Sequence, residues 1–331
     1  MASYIGRRKF LATLGGAAAV WPLAARAQGE RMGRLGVLMS GAETDPEMQA
    51  RLAGFRQGLG RFGWSEERNV HVDYRFAAAD MDRAQGLARE LIALKPDALL
   101  AYANGPAVAL QRQTRNIPIV FVGAEDPIGA GLISSLARPG GNVTGTLLYE
   151  ESIVGKWLAM LKEIAPGLER VAALFNPKTT SGIYVQAAKA IAPSLPIELI
   201  TSFVETSTDI ERAIASFAEF PNGGLLVPPD LTTVLHRDLI ISLAAKHHLP
   251  AVYQARFWVV AGGLMSYGAD RVVASRQAAY YIDRVSRGAS AADLPVEGPT
   301  RFETSLNLKT AKALGLSVPP GLLVAADEVI E

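Results

Sequence analysis

The chain has no cysteine. That excludes disulfides, thiolate metal sites, iron–sulfur clusters, a thiol nucleophile and a lipid-bearing N-terminal cysteine. Long apolar runs are also scarce. The longest, near the N-terminus, is broken by Thr13, Gly15, Gly16 and Pro22 and falls short of the ~20 residues a spanning helix needs.

Catalytic signatures are missing as well. There is no G-x-S-x-G nucleophile elbow and no phosphate-binding G-x-x-x-x-G-K-S/T. GLGRFG (58–63) is a literal G-x-G-x-x-G, but it ends a helical pattern instead of following a strand, so it reads as a helix cap and turn. The histidines are His71, His236, His247 and His248. Neighbours on a helix point about 100° apart, so His247-His248 makes a poor metal site and suits a helix C-terminus instead. Nothing in the residues calls for a cofactor or a metal.

What is present begins with MASYIGRRKFLATLGGAAAVWPLAARAQ. Arg7, Arg8 and Lys9 form a positive head, Phe10 to Ala25 an apolar body, and Ala25-Arg26-Ala27 an A-x-A cleavage site. The expectation is export to the periplasm with residues 1–27 removed and Gln28 first in the mature chain. Arg7-Arg8-Lys9-Phe10-Leu11 resembles a twin-arginine signal, with Gly6 where Ser or Thr is usual, so the general secretory route stays open. The whole chain has 33 Lys+Arg against 32 Asp+Glu; from Gln28 onward 29 basic groups face 32 acids, a net of −3. No basic stripe with interleaved aromatics stands out, so a nucleic-acid partner is not expected. No stable membrane insertion is expected either.

About 300 mature residues suggest two domains. LGVLMS (35–40), VHVDYRF (70–76), DALLAY (97–102), PIVFVG (118–123) and VTGTLL read as strands. Helical patterns separate them at 46–62, 80–95 and from about Pro106, with a short helix at 129–137. The alternation restarts after Ser152 with VAALF (171–175), PIELI (196–200), GLLVP (224–228), PAVY (250–253) and GLMSY (263–267). Helices over 181–192, 209–219 and 232–246 lie between, and 270–287 is strongly amphipathic. Strand–helix alternation in two similar runs predicts an α/β protein of two doubly wound parallel-sheet lobes. The tail is too short for a third domain and returns to complete the first two. Crossings near Leu147–Glu151, Tyr267–Asp270 and Pro299–Phe302 then make a three-stranded hinge, with residues 28–148 and 268–299 in one lobe and 149–267 and 300–331 in the other.

Ligands of open parallel sheets sit beyond the carboxyl ends of the strands. The loops there are Ser40-Gly41-Ala42-Glu43, Ala103-Asn104-Gly105-Pro106 and Ala124-Glu125-Asp126-Pro127 in the first half. In the second half they are Asn176 to Ser181, Pro229-Asp230-Leu231-Thr232 and Gln254-Ala255-Arg256. Each residue alone suits a turn or a helix cap. Together they make a two-sided binding cleft. Ser40, Asn104, Gly105, Asn176, Thr179, Thr180 and Ser181 are the candidate donors to a solute carboxylate. Asp230, then Asp126, is the candidate partner of an ammonium group. Tyr149 and Tyr267, at the crossings, are candidates to pack on the solute or on the hinge.

Four stretches carry a resemblance: IPIVFVGAEDPIGAGLISSLARPGGNVTG (117–145), LFNPKTT (174–180), GGLMSYGAD (262–270) and LPVEGPTRFETSLNLKTAKALGLSVPPGLL (294–323). The chain resembles an ABC-transporter substrate-binding protein of the bacterial family that has tryptophan- and tyrosine-binding members. The resemblance implies the type I periplasmic-binding-protein fold, a monomer, and delivery of a small polar solute to an ABC permease and its ATPase. Asn104-Gly105 departs from the Ser or Thr that such relatives often carry after the third strand. Two other readings stay open: an exported α/β enzyme with a bound cofactor, and a sensory solute receptor.

Overall fold

A computed structural model describes residues 33–331 apart from 67, 149, 151 and 181. The signal segment, Tyr149 and Ser181 therefore lie outside the described residues.

Five strands form the first sheet: β1 (Gly33–Met39), β2 (Val70–Phe76), β3 (Ala98–Tyr102), β4 (Ile119–Val122) and β5 (Val143–Thr146), in the order β2-β1-β3-β4-β5 and all parallel. Helices α1 (Pro46–Arg61), α2 (Met81–Ala93) and α3 (Asn104–Gln113) make the crossovers. β3 and β4 are buried along their whole length, because helices cover both faces of a central strand. β2, at the sheet edge, is only half-buried beyond Val70.

The second sheet repeats the plan. Its parallel part is β6 (Arg170–Phe175), β7 (Glu198–Phe203), β8 (Gly223–Val227), β9 (Ala251–Tyr253) and β10 (Met265–Ala269), in the order β7-β6-β8-β9-β10. The helices here are α4 (Ile153–Ile164), α5 (Ile183–Ile191), α6 (Ser207–Ala218), α7 (Leu231–Leu235), α8 (Arg237–Lys246) and α9 (Arg256–Val260). On α4 the stripe Val154, Trp157, Leu158 and Leu161 is fully buried, each side chain contributing roughly 1.5–3 kcal/mol. Trp157 also donates its indole N–H to the Tyr267 carbonyl at 2.6 Å, which fastens α4 to β10.

The tail serves both lobes. α10 (Arg271–Ser286) packs on α1 in the first, whereas β11 (Phe302–Asn307) and β12 (Glu328–Ile330) extend the second sheet. Glu297 pairs with Thr146, returning the chain to the first sheet before β11. β11 runs antiparallel to β10. α11 (Leu308–Ala313) and α12 (Pro320–Ala325) link it to β12. The α1–α10 contact explains part of GLGRFG: a Cβ on Gly58 would stand 2.5 Å from the Arg276 carbonyl oxygen, so glycine there lets the helices touch. Gly63, at φ +85°, then turns the chain out of the helix.

Three local expectations fail. Residues 129–137 form turns and bends and no helix, since Gly131 and Gly140 take positive φ and Pro139 intervenes. The helix expected over 232–246 is two, broken at His236. α9 falls where a loop was expected, because two aromatics, Phe257 and Trp258, bury into the lobe and hold a helix too short to announce itself by periodicity.

Candidate functional site

Strand order reverses between β1 and β3 in one lobe and between β6 and β8 in the other. Such switch points leave a crevice at the carboxyl ends of the strands. In the second lobe the crevice is floored by Asp230, which is 2% exposed and caps α7. Its Oδ2 accepts the Asn176 backbone N–H at 2.7 Å and the Thr179 hydroxyl at 3.1 Å, and its Oδ1 accepts the Thr233 N–H at 3.0 Å. Asn176 is equally committed: Nδ2 donates to Thr232 Oγ1 at 2.9 Å, and Oδ1 accepts the Lys178 N–H at 2.9 Å. The two loops after β6 and β8 are thus sewn together.

That geometry gives several of the expected residues partners within the protein. Asp230 has protein donors on both oxygens and fastens the loops of the second lobe to one another. Asn176 and Thr179 belong to the same fastening. Asp126 accepts the Gly129 N–H at 2.8 Å and so closes a turn. Gly105 gives room to Met81, whose Sδ would lie 2.6 Å from a Cβ there. The Ser40 carbonyl accepts the Ala79 N–H at 2.7 Å and ties the loop after β1 to the turn after β2. Tyr267 stacks on Phe302 with ring centres 5.4 Å apart, so it packs β10 against β11.

Two expected residues remain facing the crevice chemistry. Asn104 opens α3 with its Oδ1 out of water and without a partner. The residue before it, Ala103, sits at φ +76°, ψ 173°, a region almost reserved for glycine. Strain of this kind costs ~1–3 kcal/mol and gathers at functional sites. The other is Thr180, buried, whose hydroxyl donates across the cleft to Glu125 Oε2 at 3.0 Å.

Glu125 was not among the expected residues. Gly123, at φ +76°, turns the chain out of β4; Ala124 then buries in the first lobe's core, and Glu125 meets Thr180 of the other lobe. Burial pushes its carboxyl up to about 8; the Thr180 hydroxyl and the Arg271 charge pull down, while Asp230 pushes further up. Burial also raises Asp230, against the donors that favour its charged form. Arg271, at the start of α10, donates to Gln254 Oε1 at 3.2 Å and lies over the Phe257 ring at 5.0 Å. Gln254 is buried, and its Nε2 has no partner. Hydroxyl, carboxylate, guanidinium and amide groups thus succeed one another from Thr180 through Glu125 and Arg271 to Gln254. Among the described residues no group of three or more His, Asp or Glu is gathered to hold a metal ion, and no helix is long and apolar enough to cross a membrane.

A family model described as ABC transporter substrate binding protein matches residues 42–330. The tyrosine-binding protein of Clostridioides difficile (strain R20291) is 28% identical over 272 residues, covering 82% of this chain and 78% of that one. A conserved domain protein from Vibrio cholerae superposes with a TM-score of 0.84 at 27% identity, over 90% of this chain and all of the other. A Streptococcus pneumoniae ABC domain in complex with L-Trp gives 0.83 at 25% identity, over 90% and 99%.

Proposed function

Because the chain belongs to the ABC transporter substrate-binding protein family, we propose that it binds an amino acid or a closely related solute between its lobes and hands it to a membrane permease and its ATPase. The observation that carries this reading is the pair of facing switch-point crevices, bridged by Thr180 and Glu125. The tyrosine-binding relative and the L-Trp complex support an aromatic amino acid as the first candidate.

The proposed hinge runs through Leu147–Glu151, Tyr267–Asp270 and Pro299–Phe302, with the lobes divided as 28–148 with 268–299 and 149–267 with 300–331. A solute touching both lobes favours the closed state by its differential affinity for it. The protein acts as a monomer in the periplasm after removal of residues 1–27, a point that mass spectrometry of the exported chain checks directly. The binding reading is tested by a thermal-shift screen over amino acids, nucleosides and small carboxylates. A ligand at 100 times its Kd stabilises by ~2.7 kcal/mol, so an amino acid should raise the melting temperature visibly. Stabilisation by nucleosides alone would overturn the amino-acid assignment.

A further inference from the structure

Met81 is the first residue of α2, and its place is fixed from the chain before it. Ala78 and Ala79, at φ +50° and +63°, turn the chain out of β2, and the Ala79 N–H donates to the Ser40 carbonyl at 2.7 Å. Asp80 then caps the helix by accepting the Asp82 and Arg83 N–H groups. Held in this way, the Met81 side chain lies over Gly105 in the first turn of α3. A Cβ on that glycine would stand 2.6 Å from Sδ and 3.3 Å from Cε. The thioether thus packs on the strained start of α3, where Ala103 takes φ +76° and Asn104 Oδ1 is buried without a partner.

The same side chain is open to water. Met81 is 42% exposed, whereas Met39, Met48, Met160 and Met265 are at 5% or less. Met48 makes the matching contact in the loop after β1, its Sδ 2.9 Å from a Cβ on Gly41, but it is buried. Among the described residues, then, Met81 alone of the methionines joins access from solvent to a contact at the crevice. A methionine within reach of peroxide becomes its sulfoxide, which is polar where the thioether was apolar.

We propose that Met81 is a site of reversible oxidation that weakens solute binding: hydrogen peroxide or an organic hydroperoxide converts it to the sulfoxide, which no longer packs on Gly105. This rests on the cleft being the solute site. In the step, a lone pair of Sδ attacks a peroxide oxygen, the S–O bond forms as the O–O bond breaks, and the leaving hydroxide or alkoxide takes up a proton. The sulfur is oxidised and the peroxide reduced to water or an alcohol. A methionine sulfoxide reductase reverses it, the oxygen leaving as water while thiols become a disulfide. The added oxygen finds no room against Gly105 and finds water on the other side. The oxidised side chain therefore turns outward and leaves the first turn of α3 without its support.

The test has two arms. Peptide mass spectrometry of the chain from Gln28 onward, sampled during treatment with hydrogen peroxide, should show Met81 gaining oxygen before Met39, Met48, Met160 and Met265. Calorimetry with L-tyrosine and L-tryptophan before and after treatment should show affinity falling about tenfold, the scale of one disrupted packing contact. Met81→Leu, which keeps an apolar side chain there, should bind within about threefold of wild type and ignore the peroxide. Treatment of oxidised wild type with a methionine sulfoxide reductase and dithiothreitol should restore binding. A buried methionine reacting first, an affinity unmoved by oxidation of Met81, or a peroxide-treated Met81→Leu that weakens as wild type does would each overturn the inference and leave the cleft reading standing. Failure of untreated wild type to bind either amino acid overturns both.

Discussion

Thr180 and Glu125 stand on loops that leave different sheets, 55 residues apart in sequence, and meet through a 3.0 Å hydrogen bond. Neither lobe's own stability depends on that bond. Thr180→Val should therefore melt within a degree or so of wild type while shifting the ligand-free chain toward a larger radius. Small-angle scattering at neutral pH checks it, and an unchanged radius would mean that other contacts hold the lobes together.

Asp230 should behave in the opposite way. It is buried, and its oxygens satisfy two backbone N–H groups and a hydroxyl. Asp230→Ala leaves those donors buried and unpaired, at about 1–3 kcal/mol each, and removes the α7 cap. The ligand-free melting temperature should fall by several degrees. A variant that melts like wild type but binds weakly would return Asp230 to the role of ligand partner.

Gly58 and Gly60 lie two residues apart on α1 and should respond oppositely to alanine. A Cβ at Gly58 meets the Arg276 carbonyl at 2.5 Å and Ala279 Cβ at 2.7 Å, whereas nothing lies within 4 Å of one at Gly60. Gly58→Ala should destabilise by about 1–3 kcal/mol through overpacking. Gly60→Ala should stabilise by roughly 0.5–1 kcal/mol through helix propensity. Denaturant melts of the two variants decide it; equal effects would mean that α1 and α10 do not touch as described.

Glu303, near the start of β11, is pushed up to about 7 by burial and by Asp270, Glu328 and Glu47, with Arg256 opposing. A carboxyl raised on folding favours the folded state below its unfolded pKa of ~4.3 and loses that contribution as pH rises through its folded value. Glu303→Gln should therefore match wild type near pH 4 and melt higher near pH 8. A variant that melts lower at pH 8 would show that the charged form is wanted there.

The lobes were legible because central parallel strands are buried on both faces and read as short apolar runs: DALLAY contains β3 and PIVFVG contains β4. The tail was legible in outline, since one amphipathic helix and one strand cannot build a domain. What the sequence could not express was the destination of side chains. Asp230, Asn176 and Thr179 are the right residue types for a solute site, yet the switch point brings them against one another before any solute arrives. Glu125 escaped notice because its role comes from an opposing lobe, a relation that no local spacing encodes. The break at His236 and the five-residue α9 fall below the length at which helical periodicity declares itself.

The most direct test of the central claim is a calorimetric titration of the chain from Gln28 onward with L-tyrosine and L-tryptophan at pH 7. The account predicts saturable binding of at least one of them at a single site per chain. A flat titration with both, on protein that melts cooperatively, would contradict it.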